Sequence, residues 1–242
     1  MLALVAGAGA LAAAGVISYG AVSPSSQLFG RTFVAAGAAS RQLALTFDDG
    51  PNDPHTLRLL EVLARHGVKA TFFMIGRFVR ERPEIARAVA QAGHVVGNHT
   101  FTHPNLFFAS GSRLARELDD CDQALTEAVG EHSKLFRPPF GLRRPGTLRA
   151  VAGRGLTTVM WSVTAFDWKL PTAEAIERRV AGQVRGGGVI LLHDGGHQHM
   201  GTDRAPTVAA TDSLIARYRG EGYSFATIPE MMVHPGAGEP QR

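Results

Sequence analysis

The chain has 242 residues, 45% of them apolar and 19% charged, with 28 glycines, one cysteine and a formal charge of +4. This is enough for one domain with a substantial core, and it excludes a coiled coil or a disordered chain. The single Cys121 excludes an intramolecular disulfide and a cysteine-based zinc site. The basic excess contains no Lys/Arg run beyond dipeptides such as Arg143–Arg144 and Arg178–Arg179, so nucleic acid is not an expected partner.

Residues 1–22 carry no charged side chain. A continuous apolar helix of about 20 residues can span a bilayer core. The same stretch also suits a secretory signal with a small-residue cleavage site near Ser18–Gly20. Either reading places the rest of the chain outside the cytoplasm, secreted or anchored by this segment, which then contacts the membrane. Residues 23–40, rich in Ser, Gly and Ala, read as a linker. Residues 41–233 read as one catalytic domain and 234–242 as a tail.

From Arg41 onward, short apolar runs alternate with helical patterns. Strands are expected at Gln42–Phe47, Ala70–Ile75, His94–Gly97, Lys134–Arg137, Thr157–Val163, Val189–Leu192 and Phe225–Ile228. Helices are expected at Thr56–His66, Pro83–Ala92, Arg113–Val129, Thr147–Arg154, Ala173–Arg185 and Thr207–Arg219. Cys121 falls in one of these and reads as a buried small apolar residue. Gly67, Gly93, Gly130, Gly155 and Gly220 each follow a helix, where a left-handed stop is wanted. Such alternation implies α/β architecture with parallel strands and outer helices, either a barrel or an open doubly wound sheet. In both, chemistry gathers at the carboxyl ends of the strands. The unusual polar residues fall there: Asp48 and Asp49 after the first strand, His99 after the third, Arg137 after the fourth, Asp167 after the fifth and His193 after the sixth.

Five segments carry chemistry. Asp48-Asp49 ends an apolar strand, which allows one carboxylate on a metal and one facing a water; Gly50-Pro51 then turns the chain. His99 and His103, four residues apart, read as two imidazoles on one side of a helical turn, about 6 Å apart at Cβ. With a carboxylate they form a facial three-ligand set that leaves positions open, as a catalytic metal requires. Arg137, leaving a strand into a Pro138-Pro139 loop, can hold a carboxylate through paired hydrogen bonds. A backbone N–H beyond the prolines can face substrate. Trp161 reads as core and Trp168 as an aromatic wall, with Asp167 available to orient a histidine. His193, at the end of a buried run, is expected to titrate near neutrality, as a general acid or base must. His197 and His199 read as surface residues of a Gly-rich loop.

In this order, TFDDG at 46–50, HTFTH at 99–103, RPPFG at 137–141, DW at 167–168 and LLHD at 191–194 resemble the polysaccharide deacetylase family, carbohydrate esterase family 4 with its NodB-homology domain. The resemblance covers roughly residues 41–232. It implies a distorted (β/α)7 barrel and a divalent metal, Zn²⁺ or sometimes Co²⁺, held by Asp49, His99 and His103. It implies Asp48 as catalytic base positioned by Arg137, and His193 as catalytic acid partnered by Asp167. It also implies substrate contacts at Pro138, the Phe140 backbone, Trp168 and Leu192, with an N-acetylated glycan as partner. Phe140 stands where the family often has Tyr, and Thr164 where it often has an earlier Asp. Two rival readings are an O-acetyl esterase or other amidase on the same scaffold, and a catalytically silent glycan-binding protein. A silent binder is expected to lack a ligand or the acid, and all are present here.

Overall fold

The computed structural model describes residues 15–233. Most of the expected signal or anchor, and the tail from residue 234, lie outside the described residues. Strand β1 (Gln42–Gly50) lies inside a parallel sheet, between β2 (Thr71–Met74) and β7 (Val189–His193). Beyond β2 come β3 (Val95–Asn98), β4 (Leu135–Phe136) and β5 (Thr157–Thr158); beyond β7 comes β6 (Val163–Thr164). A short β8 (Ser224–Phe225) pairs with the start of β1. The two ends of this order, β5 and β6, do not pair with each other, so the sheet is a curled half-barrel, the expected distorted (β/α)7 arrangement. The run expected as one strand, Thr157–Val163, is two strands at opposite edges, and its middle residues cross from one edge to the other.

The helices that follow β1 are α1 (His55–Arg65), α2 (Gly76–Glu81), α3 (Pro83–Gln91), α4 (Gly111–Val129), α5 (Pro145–Ala152), α6 (Ala173–Ala181), α7 (Ala205–Gly220) and α8 (Ile228–Val233). Helices α2 and α8 are additional to those expected from periodicity; at six residues each they are too short to show it. Gly67, Gly93, Gly130 and Gly155 take positive φ as expected. Gly220 instead ends α7 within the helix, and Gly222 makes the left-handed stop at φ 80°.

Strand alternation sends the apolar side chains of β1 and β7 into two core clusters, one on each face of the sheet. Leu43, Leu45 and Phe47 of β1 and Ile190 and Leu192 of β7 join the main cluster with helix residues such as Leu59, Leu125 and Leu214. Ala44, Phe73 and Val189 join a smaller cluster with Val159 and Trp161 on the other face. Thr46 and Asp48 follow Ala44 at steps of two, and Leu191 and His193 follow Val189 likewise. The face inside the curl thus carries the polar residues toward the carboxyl ends of β1 and β7.

Residues 23–40 are not a free tether. Phe33 bridges Val159 beside β5, and Ala35 bridges Gly188 beside β7, so this segment lies across the open side of the sheet. Backbone bonds from Phe33 to Thr158 and from Ala36 to Gly187, each 2.9 Å, fix it there. Its low-complexity composition suits close packing of backbone on backbone as well as it suits a linker: a side chain added at Gly186 or Gly187 would run into Ala36–Ser40.

Candidate active site

The carboxyl end of β1 begins the site. Adjacent residues on a strand point to opposite faces, yet Asp48 and Asp49 both line one cavity. The register with β2 shifts between Asp48 and Gly50, and Asp49 takes a left-handed φ of 71°. This bulge re-aims Asp49 to the side of its neighbour.

Behind Asp48 lies the fully buried Arg137. Its Nη1 donates to Asp48 Oδ1 and to Thr46 Oγ1, both at 2.8 Å, and Nη2 donates to the Met160 carbonyl at 3.1 Å. Its guanidinium also packs over the Phe73 ring, 4.2 Å from the centroid. Burial lowers the pKa of Arg137 and the Asp48 carboxylate opposes the fall. Asp48 therefore sits against a fixed cation in one orientation.

His99 and His103 are brought together, but not by the expected helical turn. The loop from His99 to His103 is a bend with left-handed residues at Thr100 (φ 66°) and His103 (φ 59°), held by Asn98 and Thr100 side chains accepting from Thr100 N–H and His103 N–H. The two rings sit 4.9 Å apart. His99 Nδ1 lies 2.7 Å from the Arg137 carbonyl, which can only accept, so Nδ1 carries a proton and Nε2 is the ring atom turned toward Asp49. That Nε2 is 3.5 Å from Asp49 Oδ1, and His103 Nε2 is 3.2 Å from the same oxygen.

One ligand atom from each of Asp49, His99 and His103 falls within 4.8 Å of the others. Asp49 Oδ1 is buried with no hydrogen-bond donor. Burial opposes ionisation of Asp49 but is outweighed by His99, His103 and His193, which hold it well below the usual carboxylate range. Burial pushes the His103 pKa down to about 3 against the pull of Asp49, leaving the ring neutral. A deprotonated carboxylate, the neutral His103 ring and the His99 imidazole converging on one point fit a divalent cation.

His193 ends β7, directly across from Asp48 in the β1–β7 register. Its Nδ1 pairs with Asp167 Oδ1 at 2.9 Å and its backbone N–H donates to Oδ2 at 2.7 Å. Thr207 donates to the same Oδ2 at 3.0 Å. Burial opposes protonation, but the Asp167 carboxylate outweighs it, with help from Asp49 and Asp48, and the pKa rises to about 9. The imidazole is thus held protonated at neutral pH rather than titrating there.

Asp48, Asp49, His99, His103 and His193 share a cavity of about 480 Å³ that Phe140, Trp161, Trp168, Leu191 and His197 also line. Phe140 sits in a turn (Pro139–Gly141) at φ 57°, its ring half exposed and 4.6 Å from His103. Trp168 packs edge-on against His193 at 4.8 Å. Four sequence-based expectations change. Leu192 belongs to the helix-side core, and the neighbouring Leu191 borders the cavity instead. Pro138 does not line the cavity. Trp161 both packs on the inner core and borders the cavity. His197 stacks on His103 at 4.8 Å rather than standing free at the surface, and His199 is exposed at the cavity rim.

Thr46, Thr207 and Asn52 were not singled out from sequence. Asn52 clasps the loop carrying His197, donating to the carbonyls of Asp194 and Thr202 at 2.8 Å and accepting from Gly201 N–H at 2.7 Å. Its place two residues after Gly50 in the first motif is the one local signal.

A parallel half-barrel with carboxylates, imidazoles and a buried arginine at its strand ends defines a hydrolase-type α/β enzyme site. The family model for polysaccharide deacetylase matches residues 36–159. A chitooligosaccharide deacetylase of Sinorhizobium fredii is 38% identical over 206 residues, covering 83% of this chain and 96% of that one. The crystal structure of the peptidoglycan N-acetylglucosamine deacetylase Bc1960 superposes with a TM-score of 0.78 at 34% identity, covering 83% of this chain and 92% of the other. BA3943 of Bacillus anthracis, described as a pseudoenzyme of carbohydrate esterase family 4, superposes with a TM-score of 0.77 at 28% identity, covering 84% and 69%. A mutant of BA3943 is described as having restored activity. This chain belongs to the polysaccharide deacetylase family, a family of hydrolases.

Proposed function

We propose that the chain removes N-acetyl groups from N-acetylglucosamine-type residues of a chitin-like or peptidoglycan glycan, hydrolysing the amide C–N bond to release acetate. The reading rests on one observation. Asp48, backed by Arg137, and His193, backed by Asp167, are register partners on adjacent strands and line one cavity that also holds the Asp49–His99–His103 cluster. The active and silent relatives share this fold closely, so shape alone does not decide activity and the side chains must.

Asp49, His99 and His103 would hold the metal, and two imidazoles with one carboxylate suit Zn²⁺, with Co²⁺ as a substitute. When bound, the cation supplies Lewis acidity to the acetyl carbonyl and lowers the pKa of water from 15.7 towards about 7. Asp48, kept in place by Arg137, takes the proton of the attacking water. The backbone N–H of Phe140 is the donor for the oxyanion that develops on the acetyl oxygen. His193 carries a proton at neutral pH and delivers it to the departing sugar nitrogen, which leaves poorly unless protonated. Trp168 and Leu191 supply the apolar border for the acetyl methyl.

The proposed place of work is outside the cytoplasm, secreted or held at a membrane by the N-terminal segment. Residues 1–22 lack charge, and Val16, Ile17, Tyr19 and Val22 are exposed apolar side chains on its described end. Among the described residues no helix is long and apolar enough to cross a membrane. Cell fractionation tests this: recovery in the cytosol alone would refute it.

Acetate release from chitooligosaccharide, peptidoglycan and acetylxylan, with and without chelator, tests the activity. Release from the first two that stops on chelation is the expected result. Glycan binding with no acetate from any substrate would replace the enzyme with a silent binder, and release from acetylxylan alone would replace the amidase with an esterase.

A further inference from the structure

Two arginine side chains head the fully buried residues of the described chain, Arg137 and Arg143. Burying a guanidinium is costly unless its charge and donors are satisfied. Arg137 has the Asp48 carboxylate for this. The bonds of Arg143 all go to backbone carbonyls. Its Nη1 donates to Gly141 at 3.1 Å, and its Nη2 donates to Ser23 at 2.6 Å and Ser26 at 2.9 Å. Its own backbone N–H donates to the buried Ala21 at 3.2 Å. Burial pulls its pKa below the ordinary value, yet an arginine stays charged in a protein.

The acceptors belong to two distant stretches of chain. Ser23 and Ser26 lie in the segment that follows the apolar N-terminus. Gly141 closes the turn that carries Phe140. Phe140 and Gly141 are consecutive left-handed residues, at φ 57° and 68°. For a non-glycine residue that conformation is strained and persists only where surroundings impose it. Arg143 is two residues away and grips the carbonyl at the end of that turn. The strained residue is the one whose ring packs on His103.

We propose that Arg143 is a positioning residue that makes residues 21–26 a working part of the active site: by joining the Gly141 carbonyl to the carbonyls of Ser23 and Ser26, it holds the Phe140 turn at the edge of the cavity. The N-terminal segment is then a brace for that turn as well as a leader. The catalytic consequence rests on the deacetylase reading; the brace itself does not.

The test compares full-length wild type, Arg143→Lys and Arg143→Ala. Lysine keeps the charge but lacks the fork that reaches both segments. Steady-state kinetics on chitooligosaccharide, metal content and amide hydrogen exchange of peptides spanning 20–30 and 136–146 are measured well below each protein's unfolding temperature. Small misplacements of a catalytic group cost up to about 10²-fold, so Arg143→Ala should lose roughly 10–100-fold in kcat. KM should change little, metal content should hold, and exchange should quicken in both peptides together. Lysine should recover only part of the rate. A purely structural arginine would lower Tm and leave kcat per folded molecule unchanged, and that outcome overturns the proposal. If Arg143→Ala does not fold, Arg143→Lys decides alone: wild-type kcat and wild-type exchange in both peptides would overturn it. A wild type that releases no acetate would defeat the deacetylase reading instead, and the exchange data would still decide whether the brace exists.

Discussion

Two carboxylates beside the cavity have opposite kinds of partner. Asp48 rests on Arg137, a cation that does not release its proton. Asp167 rests on His193, a cation that can. In the first pair the fixed positive charge orients the carboxylate, as the proposed proton acceptor needs. In the second the carboxylate keeps the imidazole charged, as the proposed proton donor needs. Both are buried ion pairs, a costly feature in a stability sense. What differs is which partner faces the cavity: Asp48 and His193 line it, while Arg137 and Asp167 lie behind. The strand register sets Asp48 beside His193, the placement that the proposed base and acid require.

The largest effect should come from breaking the first pair. Asp48→Asn keeps an oxygen that can accept from Arg137, so the fold survives, but an amide is no base. Loss of a proton-transfer residue typically costs roughly 10²–10⁴-fold. Turnover above about a tenth of wild type in this variant, with metal still bound, would remove Asp48 from its role.

The cluster between the two pairs comes next. His99→Ala leaves Asp49 and His103 as the only side-chain ligands, and elemental analysis after dialysis should find the metal gone. Full retention of metal would contradict the ligand assignment. Chelation of wild type should reproduce the loss of activity, and added Zn²⁺ should reverse it.

The second pair gives a pH signature. Asp167 is the main charge holding the His193 pKa up at about 9, against burial. Asp167→Asn should therefore move the alkaline fall of kcat to lower pH and reduce the plateau by less than Asp48→Asn does. The folded pKa exceeds the ordinary 6.5, so the pair contributes stability fully below that value and loses it as pH rises through about 9. The Tm gap between wild type and Asp167→Asn should narrow over that window. An alkaline limb that stays in place would mean that His193 is not the titrating acid.

Most residues of the candidate site were legible because they follow recognisable apolar runs, and a parallel sheet gathers such ends together. What the chain does with its backbone was not. The i, i+4 spacing of His99 and His103 suits a helical turn and also suits the bend actually formed, because Thr100 and His103 adopt left-handed φ that their identities do not advertise. Thr157–Val163 reads as one strand because its apolar run is continuous, and pairing partners at opposite sheet edges leave no mark in it. Arg143, half of an unremarkable basic dipeptide, is buried because residues 21–26 fold over it, a long-range contact that local composition hides. The seam of the half-barrel and the brace under the Phe140 turn are therefore visible only in three dimensions.

The smallest expected effect tests the geometry beneath the comparison. Strands buried on both faces read as continuous apolar runs, so Val189–Leu192 does not disclose which residues share the face of His193. Alternation supplies the answer: Leu191 lies two residues before His193 and borders the cavity, whereas Leu192 enters the helix-side core. Leu192→Ala should cost about 2–5 kcal/mol of stability while the folded fraction keeps nearly wild-type kcat and KM. Leu191→Ala should instead weaken catalysis several-fold on N-acetylated substrate, because part of the apolar border beside the acid is gone. If Leu192→Ala impaired the folded enzyme more than Leu191→Ala did, β7 would present its other face to substrate, and His193 could not stand across from Asp48.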